Sequence, residues 1–155
     1  MTPPLGDFFP KKSKEVFLEN KLVPGAVFKI FSKVTTPPKE KFIVIIGFNN
    51  DKTLIGHLFV NTKINTNISF SPELKSMHLS LSQKDYSFLR HNSYLDCTNV
   101  HEIEKEILSE IIEKDISEYK GNLNKINIGA MKYTISHAIT IPLKIKKRYG
   151  YFKST

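Results

Sequence analysis

The chain has 155 residues, 40% apolar and 25% charged, and its 23 Lys and Arg against 15 Asp and Glu leave a formal charge of +8. That length and composition fit one domain with an ordinary core and exclude the collagen-like and disordered classes. A single Cys excludes a disulfide framework and a CxxC zinc site, the start has no basic-then-apolar leader pattern, and the uncharged run Tyr133–Leu143 is too short to span a bilayer. A reducing, cytoplasmic setting is therefore expected, with neither signal peptide nor membrane anchor.

Residues 1–20 contain Pro3, Pro4, Pro10 and a Lys11-Lys12-Ser13-Lys14 cluster, and read as an N-terminal arm with at most a short helix near Glu15–Asn20. The domain, residues 21–155, opens at Val23-Pro24-Gly25. Ala26–Val34 is rich in β-branched and aromatic residues and predicts a strand, closed by Thr35-Thr36-Pro37-Pro38, which cannot continue a ladder. Phe42–Phe48 is a continuous apolar run, and Asn49-Asn50-Asp51 supplies a turn before Thr53–Val60, so the two runs predict a central hairpin. Ile64–Pro72 is polar and reads as a surface loop. Short strands are expected at Met77–Leu81 and Tyr94–Cys97. The period then changes: Val100, Ile103, Ile107, Ile111 and Ile112 share one helical face while glutamates line the rest. An amphipathic helix over 99–119 follows, with Asn99 and Glu102 at capping-box spacing and Gly121 as the stop. A second helix is predicted over about Ala130–Ile139, ending before Pro142. Strands first and helices late give an α+β class, read as a small, strongly curved antiparallel β-barrel with a long amphipathic helix and a C-terminal helix.

Charge is distributed unevenly. Residues 1–50 hold 8 Lys and 4 acids, residues 51–118 hold 7 basic and 11 acidic residues, and residues 119–155 hold 8 basic residues and no acid. In the tail 144–155, Lys144, Lys146, Lys147 and Arg148 precede Tyr149, Tyr151 and Phe152, a mixture of cations and rings that suits single-stranded nucleic acid. The same run also fits a solvated tail or a lysine-protected edge.

Whole classes of enzyme are excluded, since the sequence contains no GxxxxGK[ST], GxGxxG after a strand, HExxH or GxSxG. Cys97 reads as a small buried thiol, and the five His show no helical i, i+4 pair, so no metal or cofactor is indicated. The remaining chemistry is that of cations, hydroxyls and imidazole, of which cleavage of RNA through its own 2′-OH is the clearest case. It requires a base, an acid, and groups that stabilise charge on phosphorus. Lys41, His57, Asn61, Thr62, Lys63, Arg90, His91 and Ser93 are the polar candidates at strand ends and loops. His57, within Leu-Ile-Gly-His-Leu-Phe-Val, also fits a half-buried barrel position, and Lys41 a blunted strand start.

The order of features over residues 22–118 carries a resemblance: Val23-Pro24-Gly25-Ala26-Val27, a Pro-containing loop, Lys41 before Phe42–Gly47, a third strand ending Asn61-Thr62-Lys63, and Phe88-Leu89-Arg90-His91-Asn92-Ser93-Tyr94-Leu95-Asp96. It resembles the PemK/MazF-like growth-inhibitor family of toxin–antitoxin systems. The resemblance implies an SH3-like barrel with added helices, a homodimer, metal-independent cleavage of single-stranded RNA, and an antitoxin partner. It places Lys41 where the family has Arg, Thr62 or Asn61 at the family's hydroxyl position, and Ser93 in its later Asp-Ser segment. Lys supplies charge without a planar bidentate clamp on phosphate.

Two functions are expected from these observations. One is a toxin-like endoribonuclease in which Lys41 stabilises the phosphorane, Thr62 or His57 does acid/base or positioning work, and Asn61, Lys63, Arg90, His91, Ser93, Lys146, Lys147 and Arg148 hold the RNA. The other is a barrel that binds nucleic acid or blocks a target protein without turnover.

Overall fold

The computed structural model describes residues 11–32, 37–64 and 71–152. The first ten residues of the expected arm, Thr35–Thr36 of the proline loop and most of the 64–72 connector lie outside the described residues. Among the described residues the elements are α1 (Lys11–Lys21), β1 (Ala26–Ser32), β2 (Lys39–Phe48), β3 (Leu54–Asn61), α2 (Pro72–Ser76), β4 (His78–Leu81), β5 (Ser93–Glu104), α3 (Lys105–Lys114), β6 (Tyr119–Asn122), α4 (Lys125–His137) and α5 (Leu143–Arg148), with a 3₁₀ turn at Ile116–Glu118. The class is α+β: a curled antiparallel half-barrel of six strands in the order β4-β5-β3-β2-β1-β6, with helices around it.

The predicted central hairpin is β2–β3. Its turn is held by Asp51, whose Oδ1 accepts from the Thr53 amide at 3.1 Å, and Lys52 takes the left-handed conformation (φ 59°) that such a turn requires. Alternation along the strands divides the apolar side chains between two faces. One face gathers Val27, Val44, Ile46, Leu58, Leu95 and Cys97 against Met131 and Ile135 of α4 and against Tyr149 and Tyr151 beyond α5. The other gathers Phe28, Ile43, Ile45, Ile55 and Phe59 against Leu18 of α1 and Leu108 and Ile112 of α3. Thus α1 covers the second face, where at most a short helix at 15–20 was expected, and Leu18 is buried there.

The long helix over 99–119 is not formed. β5 runs to Glu104, pairing Glu102 with Gly56, Ile103 with Ile55 and Glu104 with Leu54, and only 105–114 coil into α3. Val-His-Glu-Ile-Glu satisfies period 2 as well as period 3.6, and the open edge of β3 decides between them. Lys105 donates its amide to Thr53 O at 2.9 Å, so the chain leaves the ladder there. The second helix begins five residues earlier than its apolar pattern suggests, because Asn124 caps it by accepting from the Asn127 amide at 2.8 Å, and it ends at His137. The basic tail is also different from its expected form: α5 coils, and Tyr149 and Tyr151 turn back into the core, where the Tyr151 hydroxyl donates to Ile46 O at 2.6 Å. Among the described residues no helix is long and apolar enough to cross a membrane.

Candidate functional site

At the end of the sheet where β3 stops, the first face opens into a groove of about 760 Å³. Phe42 projects into it from β2 and lies against Phe88, ring centroids 5.1 Å apart. Phe88 belongs to the segment joining β4 to β5, which is pinned by buried Tyr86 and Leu89. The Tyr86 hydroxyl accepts from the Asn124 amide at 3.1 Å, and Ser93 Oγ donates to His91 O at 2.9 Å. With the segment fixed at both ends, Arg90 and His91 project outward, exposed, and line the groove with Thr62, Ser93, Lys29, Tyr119 and Lys120. No Asp or Glu is among its lining residues. Glu40 neutralises Lys29 at 3.1 Å, and Lys120 acts on Asp115 and Glu118, whereas among the described residues no carboxylate pairs with Arg90. The Arg90–His91 end is therefore the open cationic end.

Thr62, Arg90, His91 and Ser93 thus come together, although the Ser93 hydroxyl is buried and bonded to backbone. Lys63 is exposed in the turn after β3. Lys41, His57 and Asn61 do not join them. They stand on the opposite face of the sheet, where Lys41 Nζ donates to Asn61 Oδ1 and lies 5.7 Å from the centre of the Phe59 ring. Burial lowers the Lys41 ammonium's pKa, Lys39 lowers it further, and Asp96 opposes both.

His57 is 4% exposed and its Nδ1 has no hydrogen-bond partner among the described residues. Burial, with neighbouring His101, pushes its pKa down to about 4, so near neutral pH it is an uncharged core imidazole. An irregularity in β5 creates this neighbourhood. Between the pairs Phe59↔Asp96 and His57↔His101, β3 has only Leu58 while β5 passes Cys97–Val100, and the His101 ring comes to 4.1 Å from Phe59. His101 was not singled out in the sequence because the helical pattern claimed its segment.

Three of the C-terminal cations, Lys146, Lys147 and Arg148, have partners within the chain. Arg148 Nη1 reaches both Glu102 carboxylate oxygens at 2.8 and 2.6 Å, and the Tyr149 hydroxyl donates to Oε2 at 2.6 Å. Burial would raise the Glu102 pKa, but these hydrogen bonds and the Arg148 charge bring it below the ordinary carboxylate value. Lys146 Nζ donates to Ser136 O at 3.1 Å, and Lys147 lies 4.9 Å over the Phe152 ring. With Tyr149 and Tyr151 buried, the tail cannot offer those two rings to bases as the sequence pattern suggests.

Cys97 is buried and its thiol is pushed up to about 12, which removes it as a nucleophile. Among the described residues no three His, Cys, Asp or Glu side chains gather as a metal site. The groove can therefore stack rings, pair phosphate with guanidinium, and offer an imidazole and hydroxyls. No protein-family model matches the chain, and no curated protein matches it.

Proposed function

We propose that the groove binds single-stranded RNA. The observation that carries this reading is the adjacency of Phe42 and Phe88 to the carboxylate-free Arg90–His91 end. Unpaired bases have faces that stack on the two rings, while Arg90 offers a planar fork to phosphate. A duplex keeps its bases stacked on one another, so the groove favours a single strand. The resemblance to the PemK/MazF-like growth inhibitors remains the frame of this proposal, and with it the SH3-like barrel, the homodimer and the antitoxin.

A second reading, cleavage of the bound strand, is supported by Thr62, Arg90 and His91 lining one groove. His91 would take the 2′-OH proton as O2′ bonds to phosphorus and give it to the 5′ oxygen as the P–O5′ bond breaks, leaving a cyclic phosphate, while Thr62 would position the ribose and Arg90 would stabilise charge on phosphorus. Lys41 and His57 are left out of these roles because they occupy the other face.

Labelled single-stranded RNA titrated in EDTA tests both readings. Retardation weakened about tenfold or more by Phe88→Ala, with a salt slope reduced by about one in Arg90→Ala, supports binding in the groove. Discrete cuts with cyclic-phosphate ends, lost in His91→Ala, add cleavage. RNA that is neither retained nor cut, or retained equally by both groove variants, overturns the proposal.

A further inference from the structure

α4 is apolar on two sides. Met131 and Ile135 face the core, while Ile126 is 83% and Tyr133 66% exposed on the opposite side. At 100° per residue Ile126, Tyr133 and His137 form one stripe, which places two exposed apolar side chains on a line opposite the core face. Past the helix end two more apolar side chains are exposed, Ile139 at 71% and Leu143 at 50%. Beside it a cleft of about 400 Å³ opens between α4 and residues 149–151, lined by Gly129, Tyr133, Tyr149 and Gly150. Gly129 has open space where a Cβ would stand, so another backbone can approach closely there.

The charge around this surface has one sign. From Lys125 to Phe152 the sequence has Lys125, Lys132, Lys144, Lys146, Lys147 and Arg148 and no Asp or Glu, Lys132 lines the cleft, and Glu102 is already held by Arg148. We infer that the exposed side of α4, with the adjoining cleft, docks an acidic amphipathic helix of another protein, its apolar residues along Ile126 and Tyr133 and its carboxylates facing Lys125 and Lys132. In helix-in-groove recognition the anchors at i, i+3/i+4 and i+7 belong to the docked helix, and here they would lie along the line from Ile126 to Tyr133. The cleft beside Tyr133 is the natural seat for one large anchor.

Two other occupants fit less well. A second copy brings its own +8 and, in a two-fold contact, lays one acid-free α4 on another. Nucleic acid would satisfy the lysines but finds aliphatic Ile126, Ile139 and Leu143 instead of ring faces, and His137 already stacks on Tyr133 at 4.1 Å.

The test titrates the full chain into a labelled 18-residue peptide of Leu at helical i, i+4, i+7 spacing with Glu elsewhere, beside a scrambled peptide of the same composition. Binding at least tenfold tighter than to the scrambled control is expected. It should weaken at least tenfold in Ile126→Asp and several-fold, with less salt dependence, in Lys132→Glu. Both positions are exposed, and unchanged thermal melts of the variants would show that the fold is intact. Arg90→Ala should leave peptide affinity unchanged, which separates this surface from the RNA groove. Equal affinity for the scrambled peptide, or no effect of either variant, overturns the assignment. So does single-stranded RNA whose binding is lost in Ile126→Asp, which gives the face to nucleic acid, or a dimer in sedimentation abolished by Ile126→Asp, which gives it to a second copy.

Discussion

His57 shows how burial decides what one side chain can do. It is sealed between Phe59 and His101, its folded pKa near 4 lies below its ordinary 6.5, and the folded protein therefore refuses a proton that the unfolded chain accepts. The contribution to stability is complete above about pH 6.5, declines as the pH falls toward 4, and is lost below that, by at most on the order of 3 kcal/mol. His101, also lowered by burial, acts in the same direction. The variant His57→Phe should flatten the fall in urea midpoint between pH 7 and pH 4.5, and a fall as steep as the parent's would show that His57 is not its source. Gly56 is a second point of constraint, because a Cβ there would meet Ile46 Cγ1 at 2.9 Å and the Tyr149 ring at 3.0 Å. Gly56→Ala is expected to cost about 1–3 kcal/mol, read from a thermal or urea melt. The sequence suggested both a catalytic and a half-buried place for His57. It did not show which, because alternation assigns a face but not what lies over it.

Among the elements, the hairpin β2–β3 was readable because its signals agreed: two apolar runs separated by an Asn-Asn-Asp turn. The segment 99–119 was not, because its isoleucines fit a helix throughout while its first residues also fit a strand. Pairing with β3, a contact more than forty residues away in the chain, settled the boundary at Glu104. The groove was legible in part. Thr62, Arg90, His91 and Ser93 were visible as polar residues at strand ends, but the ring pair Phe42–Phe88 depends on how the β4–β5 segment folds back, which no local pattern encodes. α3 is short, and its place rests on Leu108 and Ile112, both nearly inaccessible. Leu108→Ala should destabilise by about 2–5 kcal/mol, because the cavity it leaves is closed by α1 and the sheet. A loss below 1 kcal/mol would mean that α3 is peripheral to the core.

For the whole molecule, the sum of charge is less informative than its partition. An acid-rich middle lies in the sequence before an acid-free C-terminal region, and the fold presents the latter as the surface of α4 and α5. The basic tail, which on composition alone would be a detachable arm, is structural instead. Removing everything after Pro142 takes away Tyr149 and Tyr151 and uncovers Ile46, Gly56 and Cys97. The expected outcome is a shortened chain that has lost its cooperative melt, in contrast to a stable protein with weaker salt-dependent binding. A calorimetric transition close to the parent's would contradict this.

The bond between the Tyr151 hydroxyl and Ile46 O joins residues 105 positions apart. During synthesis, at about 5–20 residues per second, the first face of the central hairpin waits roughly 5–20 s before the residues that seal it are made. For that interval its apolar strands are an uncovered template for pairing with other chains. Until Tyr149 and Tyr151 are made the nascent hairpin keeps an apolar face open to other chains, and a slow-codon stretch before residue 149 should lower soluble yield without altering the finished molecule.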